Sequence, residues 1–201
     1  MEILTLVMLM AVAIYIFKSK DQRRRIVLLG SYLGRYQIEK MMETLTQGYA
    51  RALGEPDADR QTQILDLLSA TEQALSEQFN RFSADFSAVD ALEARVSKIG
   101  FAIPYADRLF PATTFDLRKA LEIHAQGIRQ AATQSLGQTA KGRAFNISAE
   151  FFLMQHTCHW FCRSKTVASG RMLARHKTSY AQLVAAVSAD TRRAYVALTS
   201  A

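Results

Sequence analysis

Punctuation is scarce in this chain: 201 residues hold three prolines, nine glycines and two cysteines. So few prolines exclude a Pro-rich linker or a polyproline spacer. Two cysteines cannot build the disulfide framework that holds a small secreted scaffold together. Sustained alternation of apolar and polar residues is missing, which argues against a sheet protein. A glycine-rich phosphate loop, a Gly-x-Ser-x-Gly elbow and a His-Glu-x-x-His zinc helix are missing too. With them go the signatures of common nucleotide, acyl-transfer and zinc-protease chemistries. Acidic residues also run out: beyond position 122 only Glu150 and Asp190 remain.

What is present is apolar and helix-forming. Hydrophobic residues make up 49% of the chain and charged residues 21%, so a sizeable core is expected instead of disorder. Long stretches rich in Ala, Leu, Gln, Glu and Arg favour helix, and the fold class reads as all-α. The net charge of +7 is unevenly spread. Residues 1–25 carry a net +3, residues 26–122 a net −4, and residues 123–201 a net +8. Such asymmetry points to an anionic neighbour, membrane headgroups or nucleic acid.

The clearest signal is Ile3 to Phe17, ILTLVMLMAVAIYIF, with Thr5 as its one polar residue. As a helix it covers about 22 Å, a little short of the roughly 30 Å hydrocarbon core. A cleaved secretory signal would place positive charge before the apolar run; here Glu2 precedes it and Lys18, Lys20, Arg23, Arg24 and Arg25 follow. A core helix would bring all-round apolar surface into a small domain. The pattern therefore reads as a single transmembrane anchor over residues 1–25, followed by a cytoplasmic multi-helix bundle over 26–201. Basic residues favour the cytoplasmic side, so the N-terminus is expected outside, most simply at a bacterial inner membrane. A reducing compartment then keeps Cys158 and Cys162 as thiols.

Beyond the basic cluster, helix is expected to continue to about Leu53, with Ile38, Met41, Met42, Leu45 and Tyr49 on one face and Gly30 and Gly34 a turn apart. Gly54 should end it, and Pro56 with its acidic neighbours should open a second long helix. Ile64, Leu67, Leu68, Leu75, Phe79, Phe82 and Phe86 should line that helix's core face. The segment 100–111, GFAIPYADRLFP, should be irregular but packed down. Thr113 and Asp116 suggest a capping box for a helix to about Thr133 that buries Leu117, Leu121, His124 and Ile128. Residues 136–143 read as a flexible loop. Asn146 or Ser148 should cap a helix that runs through HTCHWFC toward Val187, and Ser188 should cap a final short one.

HTCHWFC (156–162) crowds two histidines and both cysteines around the chain's one Trp160. On a helix Cys158 and Cys162 share a face, and His159 neighbours Cys162. A metal such as zinc wants about four nitrogen or sulfur ligands. Cys158, His159 and Cys162 could supply part of that set, with His124 or His176 completing it from another helix. Against this, the cysteines stand four apart instead of in a Cys-x-x-Cys knuckle, and the segment is apolar throughout. The preferred reading is therefore core: slow-reacting thiols on a face packed against the helix that carries His124, with no cofactor and with metal as the alternative. Glu122 and His124, two residues apart, point to different faces and make a poor acid–base pair.

Arg163, Lys165, Arg171, Arg175 and Lys177 follow the same helix. Beside a membrane anchor their natural counterpart is anionic lipid, each worth about 1 kcal/mol near such a surface. Nucleic acid is disfavoured because the aromatic residues fall in core patterns instead of between the cations. The sequence leans to a non-enzymatic scaffold, adaptor or assembly factor that binds a protein partner or its own copy. The alternatives are a metal- or haem-binding redox or sensor protein, and a metal-dependent enzyme acting on a lipid or phosphate ester.

Overall fold

The computed structural model describes residues 2–133 and 139–200. The first helix, α1 (Glu2–Leu33), runs 32 residues without a break and passes straight through position 25. Its first half, residues 3–17, is exposed on every side. From Asp21 onward a stripe at helical spacing (Asp21, Gln22, Arg25 and Leu29) is buried against the rest of the chain.

A turn at residues 34–37 separates α1 from α2 (Ile38–Gly54), which corrects the single helix expected to Leu53. The Gly34 N–H donates to the Gly30 carbonyl at 2.9 Å, and a Cβ at Gly34 would stand 3.0 Å from that same oxygen. Tyr36 donates to Asp85 at 2.7 Å and the Gln37 N–H to the Gln78 side chain at 2.8 Å. These bonds fix the reversal, and α2 folds back toward residues 69–86.

The second long helix is also two. Asp57 caps α3 (Ala58–Leu67) through the amides of Asp59 and Arg60, so Pro56 lies ahead of the cap. The chain kinks at Leu68 into α4 (Ser69–Phe86). The kink turns Leu67 out to solvent at 79% exposure, while Phe79, Phe82 and Phe86 are fully enclosed as their spacing indicates. Next come β1 (Arg95–Ser97), α5 (Ala106–Leu109), a 3-10 turn at Pro111–Thr113 and β2 (Thr114–Asp116). The strands pair antiparallel, Val96 opposite Phe115. The segment 100–111 packs down only in part: Ala106 and Asp107 are buried, while Phe101, Leu109 and Phe110 face solvent.

Asp116, not Thr113, marks the start of α6 (Leu117–Thr133), accepting from the Arg118 N–H at 2.9 Å. Thr139 caps α7 (Ala140–Cys162), in place of Asn146 or Ser148. Of the loop expected at 136–143, residues 140–143 are therefore helical, and 136–138 lie outside the described residues. The chain leaves α7 at Arg163 and continues as α8 (Lys165–His176), α9 (Tyr180–Ala186) and α10 (Ala189–Thr199), capped by Ser164, Ser179 and Ser188.

The bundle is built around α7, which touches α1, α3, α6, α8 and α9. The main core joins Leu45, Leu75, the three phenylalanines of α4, Leu121, Ile128, Ile147 and Phe161. A smaller cluster, Leu153, Met172, Leu183 and Tyr195, closes the α8–α10 side. A buried polar tie crosses the core on the α2 side: Glu72 accepts from Tyr49 at 2.7 Å and from Arg143 at 3.0 Å, linking α2, α4 and α7. Burial and the neighbouring carboxylate push the Tyr49 phenol well above its usual range.

Candidate functional site

HTCHWFC ends α7, and its residues divide between two faces. On the first, His124 of α6 approaches Thr157 at 2.9 Å, and Tyr195 of α10 approaches the same hydroxyl at 3.0 Å. Thr157 donates to the Leu153 carbonyl at 3.0 Å, so it receives protons from both partners. His124 is then neutral with its hydrogen on Nε2, and its buried Nδ1 has no partner. Burial lowers its pKa to about 3, helped by His156. His156 contacts Ser169 at 3.0 Å and lies 4.7 Å from the Tyr180 ring. Burial, then the charge of Lys165, lowers its pKa to about 4. Glu150 completes this face, accepting from the Ser188 N–H at 3.1 Å while burial raises its pKa.

The second face carries Cys158, His159 and Cys162. They line a cavity of about 310 Å³ together with Leu29, Leu33, Ile38, Met42 and Met154, with Arg163 and Arg171 among its polar lining. Both thiols are half-buried, and Cys158 points its hydrogen at the Met154 sulfur, 3.8 Å away. Burial pushes the Cys158 thiol far above its usual range, with Cys162 and Glu39 adding to the effect. It pushes Cys162 up to about 11, against the pull of Arg163, Arg25 and Arg171. His159 lies 3.4 Å from Arg171 and is lowered by burial, then by Arg171 and Arg175.

The cysteines therefore do not pack on the helix that carries His124, as their sequence suggests. That face of α7 meets α1 and α2, and His124 belongs to the other one. Among the described residues no three His, Cys, Asp or Glu side chains are grouped to hold a metal ion. Cys158, His159, Cys162 and His124 are thus not brought together as one ligand set. His176 lies against Phe152, ring centroids 4.1 Å apart. Glu122 is exposed while His124 is enclosed, so that pair does not form.

The basic residues also part company. Arg25 is buried, pairing with Asp107 at 2.6 Å and donating to the Arg95 carbonyl at 2.9 Å. Arg24 grips both oxygens of Glu93 at 2.7 and 2.6 Å. These two are engaged by acids and a carbonyl of the fold. Lys165 lies over the rings of Trp160 and Tyr180, 4.9 and 4.6 Å from their centroids. Arg163 donates to Gln22. Lys20, Arg23, Arg171, Arg175 and Lys177 are exposed, and Lys18 is half-buried.

Sequence reasoning missed Thr157 and Tyr195 as partners of His124. A threonine within an otherwise apolar helix was the available signal, because its hydroxyl must be satisfied on burial. No protein-family model, curated protein or solved structure matches the chain.

Proposed function

We propose that this chain is a single-span membrane scaffold or adaptor whose helical domain binds a protein partner or a second copy beside the bilayer. The observation that carries this reading is α1. The residues of its apolar half are exposed, although such surface is costly in water, and its other half is built into the bundle. A membrane-spanning helix that continues into the fold holds the domain at a set height and angle. On this reading the N-terminus lies outside, the domain is cytoplasmic, and the membrane is a bacterial inner membrane. A reporter joined after Ala201 should behave as cytoplasmic, and the protein should need detergent for extraction. Release by carbonate or salt washing would overturn the anchor.

The cavity beside HTCHWFC favours one further reading. An apolar lining with Arg163 and Arg171 at hand suits a single-chain amphiphile with an anionic head. Dodecanoate should then slow alkylation of Cys162 in the folded protein, and an uncharged dodecanol should do so less. Metal, haem and metal-dependent hydrolysis are separated from both readings by elemental analysis and an absorption spectrum of the purified chain.

A further inference from the structure

The segment 100–110 is held against α1 close to where its apolar half ends. The Tyr105 N–H donates to Asp21 at 3.2 Å, and Asp107 pairs with Arg25 at 2.6 Å. Glu93 joins Arg24 at 2.6 Å to Arg108 at 3.2 Å. At its other end the Gly100 carbonyl accepts from the Thr166 hydroxyl at 2.8 Å, so the start of α8 supports it too. The chain therefore has a fixed position, and yet it presents large apolar side chains to solvent. Phe101 is 76% exposed, Leu109 63% and Phe110 45%.

Height along α1 says what covers them. Asp21 follows Phe17 by four residues, about 6 Å of helix, and Arg25 by about 12 Å. The headgroup layer beyond the hydrocarbon is about 5–7 Å thick on each side. With Phe17 at the hydrocarbon boundary, Tyr105 on Asp21 sits at the level of the headgroups and Asp107 on Arg25 at their outer edge. The apolar half of α1 is also several ångströms shorter than an average core, and such a mismatch draws the flanking protein toward the membrane or thins the bilayer. The charges agree. The acids at this edge, Asp21, Glu93 and Asp107, are engaged by Arg24, Arg25 and Arg108, whereas Lys20 and Arg23 are exposed.

We infer that the segment 100–110 is a second membrane contact, with Phe101, Leu109 and Phe110 inserted into the headgroup layer beside the anchor. It braces the domain against the leaflet through short apolar wedges of the kind that hold interfacial segments. The inference rests on the anchored reading of α1.

Tryptophan quenching in vesicles of phosphatidylcholine and phosphatidylglycerol, with brominated acyl chains, tests it on the full-length protein. Trp160 is buried and gives a constant background. Three variants are compared: Phe101→Trp, Leu9→Trp in the span, and Leu67→Trp on exposed α3. Phe101→Trp should lose about half its added emission to lipid brominated near the headgroup and less to lipid brominated deeper, as fits an interfacial depth. Leu9→Trp should respond most to the deep label, and Leu67→Trp to neither. If Leu9→Trp is unquenched, the anchored reading fails and this inference with it. If Leu9→Trp is quenched but Phe101→Trp matches Leu67→Trp, only the inference fails. Shielding of Phe101→Trp from aqueous acrylamide without bromolipid quenching would assign the surface to a protein contact and overturn it as well.

Discussion

The two faces of α7 both carry chemically capable side chains and treat them in opposite ways. Toward α6 and α10, His124, Thr157, Tyr195 and Glu150 are closed off from solvent, with hydrogen bonds running from helix to helix. Toward α1 and α2, Cys158, His159 and Cys162 are only half-covered and border a cavity. The cover makes the difference. α6 lies along α7 over much of its length, whereas α1 is a straight incoming helix that meets α7 over a short stretch. One face is structural by completeness of packing. The other has room for a ligand because its packing stops early.

The comparison is broken most severely by acid. Folded His124 and His156, with pKa lowered to about 3 and about 4, take up protons far less readily than unfolded histidines near 6.5. Their contribution is whole above pH 6.5 and is lost as pH falls toward those lowered values. Glu150, raised by burial, works in the opposite direction and offsets part of the loss. Chemical denaturation of the detergent-solubilised chain should give a stability about 3 kcal/mol lower at pH 5 than at pH 7.5. His156→Gln should flatten the slope, whereas His159→Gln on the half-covered face should change it less.

Next in size is Gly127→Ala. A Cβ there would collide with both Glu150 Oε2 and Thr191 Oγ1, inside the closed face. A loss of about 2 kcal/mol is expected in the same assay. Gly170→Ala, in α8 with nothing within 4 Å, should instead gain about 0.5–1 kcal/mol from helix propensity. On the half-covered face, Cys158→Ala and Cys162→Ala should each cost about 1 kcal/mol, because a cavity already borders both. The smallest effect is kinetic. Maleimide should modify both thiols in the folded chain more slowly than in denaturant, Cys162 ahead of Cys158, following their thiolate fractions.

How much of this was legible beforehand depended on the length scale of the signal. The apolar run at 3–17, the Phe79–Phe82–Phe86 stripe and the Ser188 cap are local patterns, and each appears in the structure as its residues suggest. The breaks at 34–37 and at Leu68 were hidden, because Tyr36, Gln37 and Leu68 are ordinary helix residues and the bonds holding the first reversal come from α4. Strands of three residues are too short to show a two-residue period. At the candidate site the sequence marked the segment but not its division. Whether a cysteine meets α6 or α1 depends on the rotation of α7, which tertiary contacts set. The pairing within the basic cluster was hidden for the same reason: Glu93 and Asp107, which engage Arg24 and Arg25, lie about 70 and 80 residues further along.

That separation gives the pairing of α1 a chronology. During synthesis the apolar half of α1 emerges first, and on the anchored reading it enters the membrane while Glu93 and Asp107 do not yet exist. In that interval Arg24 and Arg25 have Asp21 of the same helix as their nearest acid, and on the same reading their charge weighs more in choosing which end of the helix stays behind. Gln22 waits longer still, since its partner Arg163 is 141 residues away. When those partners arrive, Arg24 and Arg25 become internal struts. The same two arginines would then serve insertion early and folding late, and the order of events on the ribosome keeps the two roles from competing.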